Sequence, residues 1–115
     1  MNNVVIVGRL AKDLKLEKTE NGKSYINTSL VVNRPYKNID GIHEADFINC
    51  TLWGSISERA YEYCQKGDVV GVKGHLETSS YEKDGNTKYT YTVNAEKITF
   101  LSNKKETDKN NEQEL

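Results

Sequence analysis

The sequence predicts a small, mostly-β domain with five strands and one short helix between the third and fourth strands. Two patterns predict this class. Runs rich in β-branched residues alternate with period two and are separated by turns of Gly, Asn and Asp. One central segment instead has the i, i+4, i+7, i+8 spacing of an amphipathic helix. A chain of 115 residues with 36% hydrophobic content has room for one such domain.

The first three strands are bounded by turn residues. Their predicted ranges are Val4–Leu10, Ser24–Arg34 and Phe47–Trp53. Gly8 within the first strand suggests a bend or a close backbone approach. Asn21-Gly22 is a turn before the second strand, and Pro35, the single proline, is expected to end that strand. A polar loop then leads through Asp40-Gly41 to Ala45.

The helix and the last two strands follow. Ser55 and Glu58 fit the S-x-x-E capping box, so Ser55 is the expected N-cap. The apolar stripe of the helix consists of Ile56, Ala60, Tyr63 and Cys64. Lys66-Gly67 is the expected helix stop. The strands Val69–Tyr81 and Lys88–Leu101 come next, with Asp84-Gly85 as the hairpin turn between them.

This order of elements is that of the OB-fold, a five-stranded, partly open Greek-key barrel in which the helix between strands 3 and 4 closes one end. A small antiparallel barrel of another topology is the structural alternative. The domain is expected to span residues 1–101. Residues 102–115 are polar and acidic with almost no apolar side chain, so we expect a disordered tail.

Two large rings stand out in the third strand. Strand side chains alternate between faces, so Phe47 and Trp53 share one face with Asn49 and Thr51. The other face, Ile48, Cys50 and Leu52, is apolar and is the expected core. Two rings on the outer face suggest a flat ligand that stacks on them, as nucleobases do. The alternative is that the rings cover a subunit interface or the underside of a loop.

Charge gives no support to a nucleic-acid partner. The net charge is -1, and residues 1–101 carry 13 basic and 13 acidic side chains. Nucleic-acid binders usually show a basic excess, so a site here must depend on local clustering and stacking.

The sequence does not favour an enzyme or a metal-binding protein. His43 and His75 lack a Cys or Ser partner at a catalytic spacing, and Glu44 and Asp46 are better explained by charge pairing than as a metal pair. We therefore expect a protein that is not an enzyme, with no cofactor and no metal. The two cysteines form no CxxC motif, and neither a secretory signal nor a membrane span is visible. A cytoplasmic protein is expected.

Five segments together resemble the bacterial single-stranded DNA-binding proteins, a family that includes phage and plasmid versions. These segments are Asn3–Leu10, Val31–Tyr36, Ala45–Trp53, Lys66–Leu76 and Ala95–Ile98. They occur in order, and the resemblance covers nearly all of residues 1–101. It implies an OB-fold that binds and protects single-stranded DNA, independently of sequence, during replication, recombination and repair.

The resemblance also implies a set of site residues. Bases would stack on four aromatic side chains: Tyr36, Phe47, Trp53 and Tyr81. Phosphates would be held by basic residues near those rings, for which the candidates are Arg9, Arg34, Lys37, Lys73 and Lys88. Arg34, beside Pro35 and Tyr36, is the best placed of these by sequence.

The resemblance also implies self-assembly and protein partners. Relatives usually form homotetramers through their first strands and barrel faces, and the apolar run Val4–Val7 is consistent with this. The family tail ends in an acidic tip closing with Ile-Pro-Phe and recruits replication and repair proteins. Here that tip is absent and Glu114-Leu115 is a reduced version at best, so we expect the tail either to lack this recruitment of replication and repair proteins or to use a different partner. The departure suggests a phage, plasmid or accessory copy. The alternatives are an OB-fold binder of RNA or oligosaccharide, and a protein adaptor of a phage or plasmid replication system with weak DNA or RNA binding.

Overall fold

Six strands and one helix make up the structure, a computed structural model that describes residues 1–102. The elements are β1 (Val4–Leu10), β2 (Glu17–Lys18), β3 (Ser24–Lys37), β4 (His43–Trp53), α1 (Ser55–Tyr63), β5 (Val69–Lys83) and β6 (Asn86–Ser102). β6 thus includes Ser102, one residue beyond the expected domain end. The rest of the expected tail, residues 103–115, and its suggested role in partner recruitment lie outside the described residues.

The five long strands close into a barrel. Hydrogen-bonded neighbours follow the order β1-β5-β6-β4-β3, and β1 pairs again with β3 to close the circle. All pairings are antiparallel except β4 with β6, which is parallel at Cys50–Val93. The short β2 only extends the edge of β3. Since β2 is not a barrel strand, α1 lies between the third and fourth barrel strands, and the predicted OB-fold is confirmed.

The closing seam between β1 and β3 is short. It consists of the pairs Arg9–Val31 and Leu10–Leu30. A Cβ on Gly8 would come within 2.7 Å of the Val31 carbonyl oxygen, so only glycine fits this crossing. The close backbone approach expected at Gly8 is therefore confirmed.

The core lies inside the barrel and receives one face of each long strand. Its buried apolar residues are Leu10, Ile26, Leu30, Cys50, Leu52, Ala60, Val70, Val72, Val93 and Ala95. On β4 the even-numbered face points inward as predicted, with Cys50 and Leu52 buried and Ile48 half-buried. α1 packs against β3, β4 and β6 and buries Ala60 at one end of the barrel.

The predicted capping of the helix is wrong. Gly54, not Ser55, is the N-cap, with φ 61° and ψ -133° and no side-chain capping bond. The Glu58 carboxylate instead accepts a hydrogen bond from the Ser24 hydroxyl on β3, at 3.0 Å, so it is not available to a capping box. The helix ends at Tyr63, before the expected stop, and Tyr63 is exposed rather than part of the buried stripe.

Two hairpins extend beyond the barrel, and both are longer than predicted. β3 does not end at Pro35 but continues to Lys37. The pairing with β4 is irregular between Asn33 and Lys37, so no hydrogen bond of the strand ladder needs the amide hydrogen that proline lacks. β5 and β6 pair as far as Lys83 and Asn86, and Asp84-Gly85 forms the turn with φ 52° and 78°, as the sequence predicted. Within residues 1–102, no helix combines the length and apolar character that crossing a membrane requires.

Candidate nucleic-acid interface

The outer face of β3 and β4 is an open platform with a ring at each end. Cross-strand pairing sets Tyr25 opposite Trp53 and Val31 opposite Phe47. The two rings are six positions apart on β4, which is about 20 Å at the rise of a strand. Between them lie only uncharged polar pairs, in which the Thr51 hydroxyl donates to Asn27 Oδ1 at 2.9 Å and the Ser29 hydroxyl donates to Asn49 Oδ1 at 3.1 Å.

At the Trp53 end two side chains lie against the ring. The Tyr25 ring lies 5.2 Å from it, centroid to centroid, with a 36° tilt between the planes. The Lys23 ammonium lies 4.7 Å from the centroid of the indole ring. A hydrogen bond with Glu17 is the main cause that raises the pKa of Tyr25. Trp53 is therefore half-buried and its neighbours hold its orientation.

Sequence reasoning missed both neighbours of Trp53. Tyr25 has the parity of the outer face, which the alternation of β3 already showed, but that parity alone does not say which β4 residue it meets. Lys23 precedes β3 in a turn, where no periodicity applies. The missing information was the strand register, which is set by long-range pairing.

At the Phe47 end the ring is bare. Phe47 is 70% exposed, and its cross-strand neighbour Val31 is a small aliphatic side chain. Arg9 continues the same row, since it pairs with Val31 across the seam. The Arg9 guanidinium donates to the Gly67 carbonyl at 2.8 Å, a contact that orients its charge without neutralising it.

Arg34, the basic residue favoured by sequence, is paired with two carboxylates. Its Nη2 lies 2.9 Å from Asp46 Oδ1, and its Nη1 lies 2.6 Å from Glu44 Oε2. Hydrogen bonding to Arg34 lowers the pKa of Asp46, and the same bond raises the pKa of the guanidinium. Asp46 has the opposite parity to Phe47, so this cluster is on the reverse face of the β3–β4 hairpin. The positive charge of Arg34 is therefore largely compensated before any ligand arrives.

Tyr36 and Lys37 lie farther out on the same hairpin. Both follow Pro35 in the irregular part of β3, where Lys37 pairs with His43, and Tyr36 is 63% exposed. The His43 Nδ1 atom lies 2.9 Å from the Arg34 carbonyl oxygen, which ties the hairpin together near its tip. The structure thus places Tyr36 on an exposed arm beyond the barrel rather than on the platform between Phe47 and Trp53.

A polar groove joins the platform to the β5–β6 hairpin. The Thr92 hydroxyl lies 3.3 Å from the Thr51 hydroxyl, and Ser79 and Thr90 hydroxyls are 2.7 Å apart farther along. The groove encloses about 370 Å³ and is lined by Lys12, Asn27, Thr28, Ser29, Asn49, Cys50, Thr51, Ser79, Thr90, Tyr91 and Thr92. Lys12 is a basic residue that sequence reasoning missed, because it lies in a loop after β1 with no pattern around it.

Tyr81 and Lys88 extend this groove. They are directly paired across the β5–β6 hairpin, and so are Ser79 and Thr90 on the same face. Paired residues of an antiparallel ladder have adjacent side chains on one face. A ring and an ammonium group therefore stand side by side where the groove leaves the barrel.

Lys73 stands apart from these residues. It pairs with Val5 on one side and Lys97 on the other, on the outer surface of β1, β5 and β6. That surface also exposes Val5 and Val7. The structure therefore brings Phe47, Trp53, Tyr81 and Lys88 onto one continuous surface and leaves Lys73 on another part of the barrel wall.

Taken together, the closed barrel and the open polar face with an aromatic ring at each end define an OB-fold protein. The sequence profile of the Single-strand binding protein family matches residues 1–101. The chain therefore belongs to the single-strand binding protein family.

Similar curated proteins come from several bacteria. The chain is 44% identical over 105 residues to the single-stranded DNA-binding protein of Oceanobacillus iheyensis, covering 90% of this chain and 65% of that protein. It is 44% identical over 104 residues to single-stranded DNA-binding protein B of Bacillus subtilis, covering 90% and 92%. It is 40% identical over 108 residues to single-stranded DNA-binding protein 1 of Clostridium acetobutylicum, covering 92% and 98%.

Proposed function

We propose that the protein binds single-stranded DNA without sequence preference and protects it during replication, recombination and repair. Bases stack on Trp53 and Phe47 along the platform, on Tyr81 where the groove leaves the barrel, and on Tyr36 at the β3–β4 arm. Phosphates are held by basic side chains beside these rings. Membership of the single-strand binding protein family and the names of its bacterial relatives support this function.

The observation that carries the proposal is the platform itself. Two rings stand about 20 Å apart on one strand face, and the side chains between them are amides and hydroxyls already bonded to each other. Stacking is available to every base, because every base has a π-face. The groups between the rings are uncharged, and the side-chain oxygens of Asn27 and Asn49 already accept hydrogen bonds from neighbouring hydroxyls. Stacking is therefore the contact that this face offers to every base alike. The proposed role is therefore binding rather than catalysis.

The basic residues divide by position. Lys88 beside Tyr81, Arg9 in the row of Phe47, and Lys37 near Tyr36 remain proposed phosphate contacts. Arg34 contributes less in this proposal, because Asp46 and Glu44 compensate its charge. Lys73 contributes only if DNA also passes over the β1–β5 surface.

We also propose that copies of the protein associate, as a homotetramer. β1 pairs with β5 along one edge, but only Arg9 and Leu10 pair with β3 along the other. The edge of Val4–Gly8 is therefore open among the described residues, and an unpaired edge is a template for another strand. Val5 and Val7 are 72% and 54% exposed on the adjoining outer surface. Burial of these side chains between copies would remove apolar area from water.

The proposed compartment is the cytoplasm, and the cysteines support it. Cys50 and Cys64 are both free thiols, with Cys50 buried in the core. Burial raises the pKa of the Cys50 thiol to about 11, so it remains an unreactive thiol at physiological pH.

The decisive experiment is a titration with oligo-dT followed by the fluorescence of Trp53, the single tryptophan of the chain. We expect strong quenching that saturates at a fixed ratio of nucleotides to protein, since stacking brings a base against the indole. Mixed-sequence oligonucleotides should quench similarly, with a mild preference for pyrimidines. Labelled duplex DNA of the same length is the control and should bind much more weakly.

Two results would contradict the proposal. Unchanged fluorescence, together with no binding of a labelled oligonucleotide to the folded protein, would remove the DNA-binding function and leave the adaptor hypothesis. A preference for RNA or for one particular sequence would show that the polar face selects its ligand by hydrogen bonds.

A further inference from the structure

The turn before β3 places a lysine on the ring that is proposed to bind a base. The Lys23 ammonium lies 4.7 Å from the centroid of the Trp53 indole. This is within the range of a cation–π contact, which attracts the ammonium to the face of the ring. A base that stacks on Trp53 needs a ring face as well. A base that stacks on the face covered by the ammonium must therefore displace it.

The backbone around Lys23 is held while its side chain is exposed. The Lys23 amide donates to Thr19 Oγ1 at 3.1 Å, and the Thr19 amide donates to the Lys23 carbonyl at 2.9 Å. The Gly54 amide, next to Trp53, donates to the Ser24 carbonyl at 2.8 Å. The Cα of Lys23 therefore keeps its place beside Trp53, and only the flexible side chain is left to move.

The other neighbour of Trp53 restricts where a base can enter. Tyr25 lies at a 36° tilt against the indole with its centroid 5.2 Å away. Tyr25 is itself held through its hydrogen bond to Glu17 and its register with Trp53 on β4. Tyr25 is part of a strand and cannot withdraw as a lysine side chain can. The ammonium is the neighbour that a base can displace.

We propose that Lys23 binds a phosphate of the DNA backbone, and that it covers Trp53 only in the free protein. This inference rests on the proposed binding of single-stranded DNA. When a base stacks on the indole, the ammonium leaves the ring and contacts a phosphate next to the stacked base. Stacking of a base on an aromatic ring is stronger than an exposed cation–π contact, so the exchange favours the complex. A phosphate also offers the ammonium a full negative charge in place of a ring quadrupole.

The exchange links base stacking on Trp53 to a phosphate contact by Lys23. Lys23 keeps the indole oriented and partly covered before DNA arrives, and then adds a phosphate contact at the nucleotide whose base replaces it. Lys23 is in this sense a binding residue for DNA as well as a positioning residue for Trp53.

The test compares Lys23→Gln with Lys18→Gln, both of which remove one positive charge from the same hairpin. Lys18 is exposed on β2 and pairs with Ser24, so it is a near neighbour in sequence and space. Three quantities are measured for each protein: the emission of Trp53 in the free state, its emission at saturating oligo-dT, and the affinity for a labelled oligo-dT at several salt concentrations. Thermal unfolding confirms that both variants are folded.

We expect Lys23→Gln to change the emission of the free protein and to leave the emission of the DNA-saturated protein equal to that of the wild type. The slope of log K against log salt should become shallower by about 0.7, the value for one phosphate contact with a single strand. Lys18→Gln should leave the free emission unchanged and alter the slope by clearly less. Lys23→Arg, which keeps the charge, should restore the wild-type slope.

Either of two results would overturn the inference. Equal salt slopes for Lys23→Gln and the wild type would show that Lys23 contacts no phosphate. A difference in emission that persists at saturating DNA would show that the lysine remains on the ring in the complex. Both results leave DNA binding itself intact, whereas loss of oligonucleotide binding by the wild type would remove the proposed function and this inference together.

Discussion

The two ends of the platform carry the same kind of side chain in opposite surroundings. Trp53 is half-buried, tilted against Tyr25 and covered by the free charge of Lys23. Phe47 is 70% exposed, with an aliphatic neighbour and no described ring partner among residues 1–102. The nearby cation on its hairpin, Arg34, is paired with Asp46 and Glu44. At one end the ring is ordered and a lysine ammonium covers it. At the other end the ring is bare, Arg9 lies in its row, and Arg34 is compensated on the reverse face of the hairpin.

This difference shows that the exposure of a ring on an outer face does not by itself indicate how strongly that ring binds a base. A ring whose orientation is already fixed loses little conformational entropy when a base stacks on it. A bare ring must be ordered by the ligand, although it has more surface to offer. We therefore expect the Trp53 end to dominate affinity and the Phe47 end to add reach along the strand.

The largest expected effect is that of Trp53→Ala. It should weaken binding of a labelled oligo-dT by roughly 10- to 100-fold, in line with the loss of one stacked base. Phe47→Ala should cost less, about three- to tenfold, because the ring is smaller and not pre-ordered. Fluorescence anisotropy of the labelled oligonucleotide measures both without needing the tryptophan.

Tyr61→Ala is the matched control for these two variants, since Tyr61 is an exposed ring on α1, away from the groove. It should bind like the wild type. A loss for Phe47→Ala that equals or exceeds the loss for Trp53→Ala would contradict the comparison between the two ends.

A smaller effect on affinity is expected when the positive charge of Arg34 is no longer compensated. The double variant Glu44→Gln, Asp46→Asn removes the carboxylates that hold Arg34. The freed guanidinium should raise the affinity for oligo-dT a few-fold, and the salt slope should steepen by about 0.7 if it gains one phosphate. Affinity measured at several salt concentrations gives both quantities.

The same double variant in an Arg34→Gln background separates two explanations. If the gain depends on Arg34, it disappears in that background. A gain that persists would come from the general loss of negative charge, and would show that Arg34 is not a latent phosphate contact.

The smallest effect concerns pH and the stability of the β3–β4 hairpin. The pKa of Asp46 is lower in the folded protein than its ordinary value of about 3.9, chiefly through hydrogen bonding to Arg34. The stabilisation is therefore fully present above about pH 4 and is lost as pH falls through the lower, folded-state pKa. The pair is exposed, so the effect is small.

Thermal unfolding of the wild type and Asp46→Asn at a series of pH values measures this effect. The wild type should have the higher Tm at pH 6, and the difference should shrink below about pH 4. A difference that grows as pH falls would have the wrong sign for a carboxylate with a lowered pKa.

Local patterns were enough to predict much of this structure. The alternation in β4 predicted that Phe47 and Trp53 face outward, since parity depends only on the neighbouring residues. The turn at Asp84-Gly85 followed from residues that accept positive φ. The order of strands and helix was sufficient to predict the barrel.

The features that sequence did not predict depend on contacts between distant residues. Pro35 was expected to end β3, but a strand at the irregular end of a hairpin does not need the missing amide hydrogen. Ser55 is not the cap because the Glu58 amide donates to the Gly54 carbonyl, which starts the helix one residue earlier, while the Glu58 carboxylate bonds to Ser24, 34 residues earlier. Strand register brings Lys23 and Tyr25 into contact with Trp53, and Arg34 into contact with Asp46. Local sequence patterns do not determine that register.

The crossing at Gly8 separates two kinds of position in this chain. A side chain there would collide with the backbone of β3, so the closure of the barrel depends on the absence of a single carbon atom. Phe47, Tyr36 and Tyr81 are exposed, so another aromatic side chain can replace each of them without moving the backbone. In the proposed function, the strength of binding can therefore change ring by ring during evolution, whereas the seam between β1 and β3 requires glycine at position 8.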